Sequence, residues 1–276
     1  MTVLNKLARP FALSLMGVAV AMTSLAASAD FLKDGKIVVG SDVTFFPYEY
    51  MKDNKPMGFD IEYMDGLAKI MGRTVDTQDT RFPNLITGLT GGRFDVTNSS
   101  MYITAERVKV IDMIPYLKSG ESILALKGAP FQPKKPEDFC GHKLGSMGAT
   151  SWLAQMHKVS DECVKNGMKP IAISEYSTDP QTTQALLAHA VEAQITDAAV
   201  ANGVIEKLGD RVVISSDTLI YPVLNGFGVK KGNDAVKTAL EDGMKKYAAT
   251  PEYAALLKKY SFVAPTADDI ATLMPK

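Results

Sequence analysis

Short apolar runs alternate along most of the chain with stretches in which apolar residues recur every three or four positions. Ile37, Val38 and Val39 read as a strand, and Ile61, Met64, Leu67, Ala68 and Met71 keep one face of a helix that Gly72 stops. Val75 begins a second strand. Phe82, Leu85, Ile86 and Leu89 mark a second helix, closed by Gly91-Gly92, and Arg93-Phe94-Asp95-Val96 reads as a buried strand. The order β-α-β-α-β predicts an α/β fold with a mostly parallel sheet. Residues 122–127 form another strand. Residues 128–136 hold three of the 14 prolines and read as a linker.

After that linker the pattern restarts. Residues 143–147 read as a strand, 148–151 as a small-residue loop and 152–159 as a helix. The strand and loop echo Val39-Gly40-Ser41-Asp42 and its loop. Residues 186–193 likewise echo 89–96, each a helix end, a turn and a strand with one acid before a small or branched apolar residue. The second copy ends at Thr196-Asp197 where the first ends at Ser99-Ser100. This faint repeat predicts two similar lobes facing each other. Residues 225–230 read as a second strand crossing between them. Two helices close the chain, one through Val236, Leu240 and Tyr247, the other through Tyr253, Leu256, Leu257 and Tyr260.

The first 29 residues stand apart. Lys6 and Arg9 precede an apolar stretch from 11 to 25, and Ala27-Ser28-Ala29 fits a signal-peptidase site. The stretch is too short for a membrane span, so an exported, soluble chain starting near Asp30 is expected. The leader holds two of the 30 basic residues and none of the 31 acidic ones, leaving 28 against 31, a charge of −3. That balance argues against nucleic acid as a partner, and a hydrophobic fraction of 46% suits a globular core. His142, His157 and His189 show no metal-ligand spacing, and no nucleotide loop or Ser-His-Asp order is present, so no cofactor or metal is expected.

The stretch from Asn98 to Arg107 carries the most chemistry. Small polar residues at the carboxyl end of a strand leave N–H groups and hydroxyls facing a cleft. Thr104 can cap the turn after it, and Arg107 offers a planar fork of donors suited to a carboxylate. Taken alone, the stretch reads equally as an ordinary strand–loop–helix joint. Residues 41–50, rich in aromatic and acidic side chains after a strand, form a second contact candidate; there Asp42 and Phe45 read either as ligand contacts or as a turn acid and a core aromatic.

These pieces, with Met57-Gly58-Phe59-Asp60-Ile61, Gly148-Ala149-Thr150 and Ile195-Thr196-Asp197, occur in the order and spacing of a known family. From about Lys36 to Phe262 the chain resembles the periplasmic solute-binding proteins of polar amino acid ABC importers, the family 3 extracellular solute-binding proteins. The resemblance implies a two-lobed, type II periplasmic-binding-protein fold with two crossing strands as hinge. Residues 30–127 and 225–276 would form lobe 1 and residues 128–224 lobe 2. It implies an amino acid, polar or basic or an opine derivative, held between the lobes of a monomer and delivered to a membrane permease. Arg107 would hold the α-carboxylate together with Ser99, Ser100 and the N–H groups around Tyr102, Ala149 and Thr150, and Asp197 would take the α-ammonium. Phe45 and Phe82 would wall the side chain, with core packing the rival role for Phe82, and Asp42 would reach the side chain's far end.

The sequence departs from the family pattern in three places. Tyr102 stands where relatives carry a small hydroxyl residue. Ala149 replaces Thr or Ser and leaves only its N–H. The family's Gly-Arg-Val-Asp-Ala is here His189-Ala190-Val191-Glu192-Ala193. The fold also hosts dehydratases of the cyclohexadienyl type, so a periplasmic enzyme acting on prephenate-like acids is the alternative, with Glu175 or Asp42 as candidate general acid. Cys140 and Cys163, the two cysteines of the chain, are expected to pair. Export favours it, relatives carry cysteines before this strand and after this helix, and a strand with its returning helix brings the two points together.

Overall fold

The computed structural model describes residues 35–275, so the leader and its cleavage site lie outside the described residues. Strand β1 (Lys36–Ser41) buries Ile37 and Val39 and leads into a small hairpin, β2 (Thr44–Phe45), β3 (Glu49–Lys52) and β4 (Lys55–Met57). Helix α1 (Phe59–Ile70) comes next, its buried face made by Phe59, Tyr63, Met64, Leu67 and Ala68, and Gly72 at φ +69° turns the chain out of it. After it come β5 (Thr74–Asp79), α2 (Leu85–Thr90), β6 (Val96–Thr97), the single turn α3 (Arg107–Val110) and the long β7 (Ile111–Leu126). The second half holds β8 (Lys143–Met147), α4 (Ser151–Lys165), β9 (Ala172–Tyr176), α5 (Asp179–Leu187), β10 (Ala193–Asp197), α6 (Ala198–Leu208) and β11 (Val212–Ile214). Strand β12 (Ile220–Lys230) returns to the first half, where α7 (Asp234–Ala248), α8 (Pro251–Tyr260) and α9 (Ala267–Leu273) end the chain.

One sheet runs through both halves in the order β5-β1-β6-β12-β7-β10-β8-β9, with β11 paired to β7. The order is palindromic. Strand β1 lies parallel between β5 and β6, as β8 lies parallel between β9 and β10, and β12 and β7 join the triplets antiparallel. The internal echo is therefore real structure: β1 corresponds to β8 and β6 to β10. This is the two-lobed type II architecture, α/β with a mostly parallel sheet in each lobe and β7 and β12 as crossing strands.

Both crossing strands begin earlier than their apolar runs indicate, β7 at Ile111 instead of 122 and β12 at Ile220 instead of 225. The reason is proline. Pro115 sits at a break in the β7/β12 ladder between Asn225 and Gly226, and the second break, between Ile220 and Val223, contains Pro222 and the left-handed Tyr221. A proline cannot donate to a ladder and is tolerated only at such irregularities, so the strands continue past residues that look like breakers. Tyr116 and Phe227, stacked at 4.3 Å, pack the crossing strands under α1 through Tyr63 and Phe59.

Cys140 and Cys163 are joined in a disulfide with Cα atoms 5.6 Å apart and a sequence separation of 23. The bridge ties the segment before β8 to the last turns of α4. Replacing both cysteines by serine is expected to lower stability by about 3 kcal/mol, the chain-entropy value for a loop near this size. At roughly 2–4 °C per kcal/mol for a chain of this length, the melting temperature should fall by roughly 6–12 °C. An unchanged melting curve would show that the bridge contributes nothing.

Candidate functional site

The loop after β6 leads to the boundary between the halves. Ser99 Oγ donates to Glu49 Oε1 at 2.7 Å and accepts the Asp42 N–H at 3.0 Å. Ser100, at φ +43°, gives its N–H to Asp60 Oδ2 at 2.7 Å, and its hydroxyl accepts from Asn225 of β12. Tyr102 bridges to Asn225. Thr104 caps the turn as expected, its oxygen accepting the Arg107 N–H at 3.2 Å. These bonds fix the loop from three sides and deliver Arg107 to the cleft.

Arg107 reaches across that cleft. Its Nη1 donates to the Tyr102 carbonyl at 2.7 Å, and its Nη2 to the Ala149 carbonyl of the opposite half at 3.2 Å. The guanidinium lies 5.3 Å from the centre of the Phe82 ring. Loss of water around it brings its pKa down to about 10. No carboxylate is within ion-pair distance of it among the described residues. Beside it starts α4, whose N-cap Thr150 accepts the Leu153 N–H at 3.2 Å and leaves earlier N–H groups of the first turn directed outward. Ser151 Oγ, buried at this point, has no hydrogen-bond partner among the described residues. Arg107, Ala149, Thr150 and Ser151 also line one end of a groove of about 930 Å³ that runs along α4. A cation and a helix N-terminus on opposite walls form a site for a carboxylate.

Asp197 ends β10, fully buried, and caps α6 by accepting the Ala199 and Val200 N–H groups at 2.8 and 3.4 Å. From the first half and the hinge it also accepts Tyr48 Oη at 3.1 Å, Tyr102 Oη at 2.6 Å and Ser119 Oγ at 2.6 Å. Burial raises its pKa against the lowering effect of those bonds. Gly58 helps to aim Tyr48: at φ +123°, a Cβ there would lie 2.3 Å from the Tyr48 carbonyl oxygen.

The aromatic positions converge between the halves. Phe45, buried, stacks with Tyr48 at 5.8 Å and with Trp152 at 6.4 Å, and Trp152 meets Tyr102 edge to face at 5.2 Å. The Trp152 indole N–H is buried without an acceptor among the described residues. Phe82 is buried and faces Arg107. Asp42 accepts Thr44 Oγ1 at 2.7 Å and the Phe82 N–H at 2.8 Å, and it pairs with Arg81 Nη1 at 2.6 Å. The far end of the site thus offers a carboxylate and a guanidinium side by side. Glu175 is half exposed, 3.6 Å from His157.

Behind the loop lies a buried acid cluster. Glu49 and Asp60 hydrogen-bond each other; burial pushes Asp60 up to about 6 and Glu49 well above the carboxylate range. Asp179, fully buried and bonded to Thr196 and Gln194, is likewise pushed to about 6. A carboxyl whose folded pKa exceeds its unfolded value binds more protons folded than unfolded between the two values. Stability therefore falls as pH rises through that window, here from about 4 to 6. The free protein is expected to melt at a higher temperature at pH 5 than at pH 8, which a pH series of thermal melts checks directly.

Sequence reasoning placed Asp42, Phe45, Phe82, Ser99, Ser100, Tyr102, Arg107, Ala149, Thr150 and Asp197 together, and all ten lie at this boundary. It missed Tyr48, Ser119 and Trp152. Trp152 directly follows the first residue of α4, and an indole in the first turn beside a predicted cleft was the available signal.

The fold is that of a two-lobed binding protein, and its cleft sets a guanidinium beside a helix N-terminus. The chain belongs to the bacterial extracellular solute-binding proteins, family 3, whose pattern matches residues 37–263. It is 26% identical over 228 residues to the L-cystine-binding protein TcyJ of Escherichia coli strain K12, covering 82% of each chain. Its fold is similar to that of an ancestral arginine-binding protein bound to glutamine (TM-score 0.74, 28% identity, 82% of this chain and 97% of that one). It is similar as well to an ancestral amino acid-binding protein described as a precursor of cyclohexadienyl dehydratase (TM-score 0.72, 26% identity, 84% and 98% covered).

Proposed function

We propose that the protein captures one α-amino acid in the periplasm, between a lobe of residues 35–127 with 225–275 and a lobe of residues 128–224, and delivers it as a monomer to the permease of an ABC importer. The observation that carries this reading is Arg107, a guanidinium without a carboxylate partner among the described residues, held between carbonyls of both halves beside the start of α4. An amino acid α-carboxylate arriving there meets both walls at once, so binding favours the closed arrangement over the open one. Asp197 supplies the compensating negative charge for the α-ammonium. Pairing both charges matters, because a buried unpaired charge costs several kcal/mol.

Phe45, Phe82, Tyr102 and Trp152 provide aromatic walls for a long side chain, and the Asp42–Arg81 pair presents both signs of charge at its end. That combination favours a polar or basic side chain such as that of glutamine or arginine. It equally suits a ligand with a second amino acid head, as in cystine or an opine. The relative named for L-cystine and the ancestral arginine-binding protein bound to glutamine support this range. Acidic side chains fit less well, because Asp42 stands at that end and already pairs with Arg81.

Binding is favoured over catalysis by the two acids named for the enzyme alternative. Glu175 is half exposed, and Asp42 is engaged by three donors. Incubation with prephenate or arogenate is expected to give no aromatic product. The test of the ligand class is a thermal-shift panel of common amino acids, ornithine, cystine and opines. A ligand at about 100 times its Kd should add roughly 2.7 kcal/mol to stability. A shift with glutamate or aspartate alone would overturn the side-chain assignment.

A further inference from the structure

Arg107 and Asp197 join the two halves inside the cleft, and a second junction lies outside it. Phe46, in the turn between β2 and β3, lays its ring against Gly203 on α6 of the opposite half. A Cβ on Gly203 would stand 2.6 Å from Phe46 Cδ1 and 2.7 Å from Cε1, so the ring sits where any larger residue would put its side chain. One turn further along α6, Lys207 holds its Nζ 3.6 Å from the centre of the same ring. Tyr50 of β3 packs against the ring as well, 4.9 Å between centroids, and restricts how it can give way. Gly203 lies in the interior of α6, where glycine weakens a helix relative to alanine, and its backbone is not in the left-handed region. The close approach of the ring is what calls for glycine there. The groove around this junction, about 580 Å³, is lined by Tyr50 and Met51 from one half and Gln184 and Val204 from the other, and neither Arg107 nor Asp197 lines it.

We propose that Phe46, Gly203 and Lys207 form a clasp that holds a substantial share of the ligand-free molecules closed and thereby sets the affinity for the ligand. The clasp stands on packing alone; its effect on affinity rests on the amino acid-binding reading. Phe46 moves with the hairpin of one lobe, and Gly203 and Lys207 move with α6 of the other, so opening the cleft parts them. Each closure buries the ring against the bare backbone of Gly203 and places a cation over its face, with no ligand atom taking part. A ligand that needs the closed form binds with an apparent affinity reduced by the fraction of molecules that are closed. The clasp raises that fraction. Phe46, Gly203 and Lys207 are therefore positioning residues, which act on binding through the lobes and not through contact with the amino acid.

Wild type, Gly203→Ala, Phe46→Ala and the double variant, each as the full mature chain, test this. Gly203→Ala puts a methyl group where the ring lies and wedges the lobes apart, while alanine suits α6 better than glycine. The free variant should melt no lower than wild type and yet show a larger radius of gyration in X-ray scattering. Calorimetry uses whichever of L-arginine, L-glutamine and L-cystine binds wild type. Gly203→Ala should weaken that binding by about tenfold or more. Phe46→Ala should weaken it roughly threefold through the lost ring contacts. Adding Gly203→Ala to Phe46→Ala should cost nothing further, because the methyl group then meets no ring. A wild-type radius or a wild-type affinity in Gly203→Ala overturns the clasp, as does a cost of Gly203→Ala that is equal with and without Phe46. A lowered melting temperature that persists in the double variant marks damage to α6 and overturns it too. If none of the three amino acids binds, the functional reading fails and the radii still decide. The clasp then stands if Gly203→Ala widens the free protein only when Phe46 is present, and falls if all four radii agree.

Discussion

Arg107→Ala is expected to weaken binding of the selected amino acid by about 2–5 kcal/mol, roughly 30-fold to several thousandfold. The magnitude comes from the groups that the truncation leaves behind. The ligand's carboxylate would still be drawn from water into the cleft, facing only the start of α4 and Ser151 Oγ. The guanidinium also holds the two halves together through the Tyr102 and Ala149 carbonyls, so its loss weakens closure as well as contact. Folding of each lobe should change little, since Arg107 forms no ion pair among the described residues and lies partly exposed at the groove. Calorimetry gives the affinity and a melt of the free variant gives the stability. Wild-type affinity in Arg107→Ala would remove the carboxylate site from the account.

Asp197→Ala should be costly in a different way, by about 3–5 kcal/mol of stability. Two contributions add. An N-cap replaced by alanine costs about 1 kcal/mol, and α6 begins on this cap. The Tyr48, Tyr102 and Ser119 hydroxyls would then be buried with one acceptor fewer, at roughly 1–3 kcal/mol for each left unsatisfied. Tyr102 keeps the Gly120 carbonyl at 2.9 Å, which limits its share. Asp197→Asn separates the two roles. It keeps an acceptor oxygen for the cap and the hydroxyls, so most stability should return, while the missing charge should still weaken amino acid binding at least tenfold. Equal melting of Asp197→Ala and wild type would contradict the hydrogen-bond account of this residue.

Much of this architecture was legible because it rests on local patterning. The strand of β8 and the loop into α4 were readable from Leu144, Gly145 and the small residues 148–151, and the echo between 89–96 and 186–193 foretold the palindromic sheet. The crossing strands were cut short because Pro115, Gly120 and Pro222 look like breakers until a ladder irregularity absorbs them. Helix α9 went unread: it is short and begins with a capping box at Thr266 and Asp269, without a long apolar face.

Within the site, charged and aromatic residues on strand-to-helix joints were readable, because such joints face the cleft in an α/β fold. Partnerships were not. That Arg81 pairs with Asp42, or that Glu121 opposes Asp197, depends on strand register and on the meeting of distant loops, which periodicity does not encode. Trp152 was legible only as the start of a helix, since an apolar residue in a first turn ordinarily packs inward. Here the inward direction is the boundary between the lobes.

Carboxylate recognition is tested by calorimetric titration of the protein with the amino acid selected by thermal shift, and with the α-amide of the same amino acid. The amide keeps the side chain and the ammonium but carries no α-carboxylate for Arg107 and the start of α4. The free amino acid is expected to bind with one site per chain and the amide to bind at least 30-fold more weakly. No heat with any free amino acid, or equal affinity for the amide, would contradict the central claim.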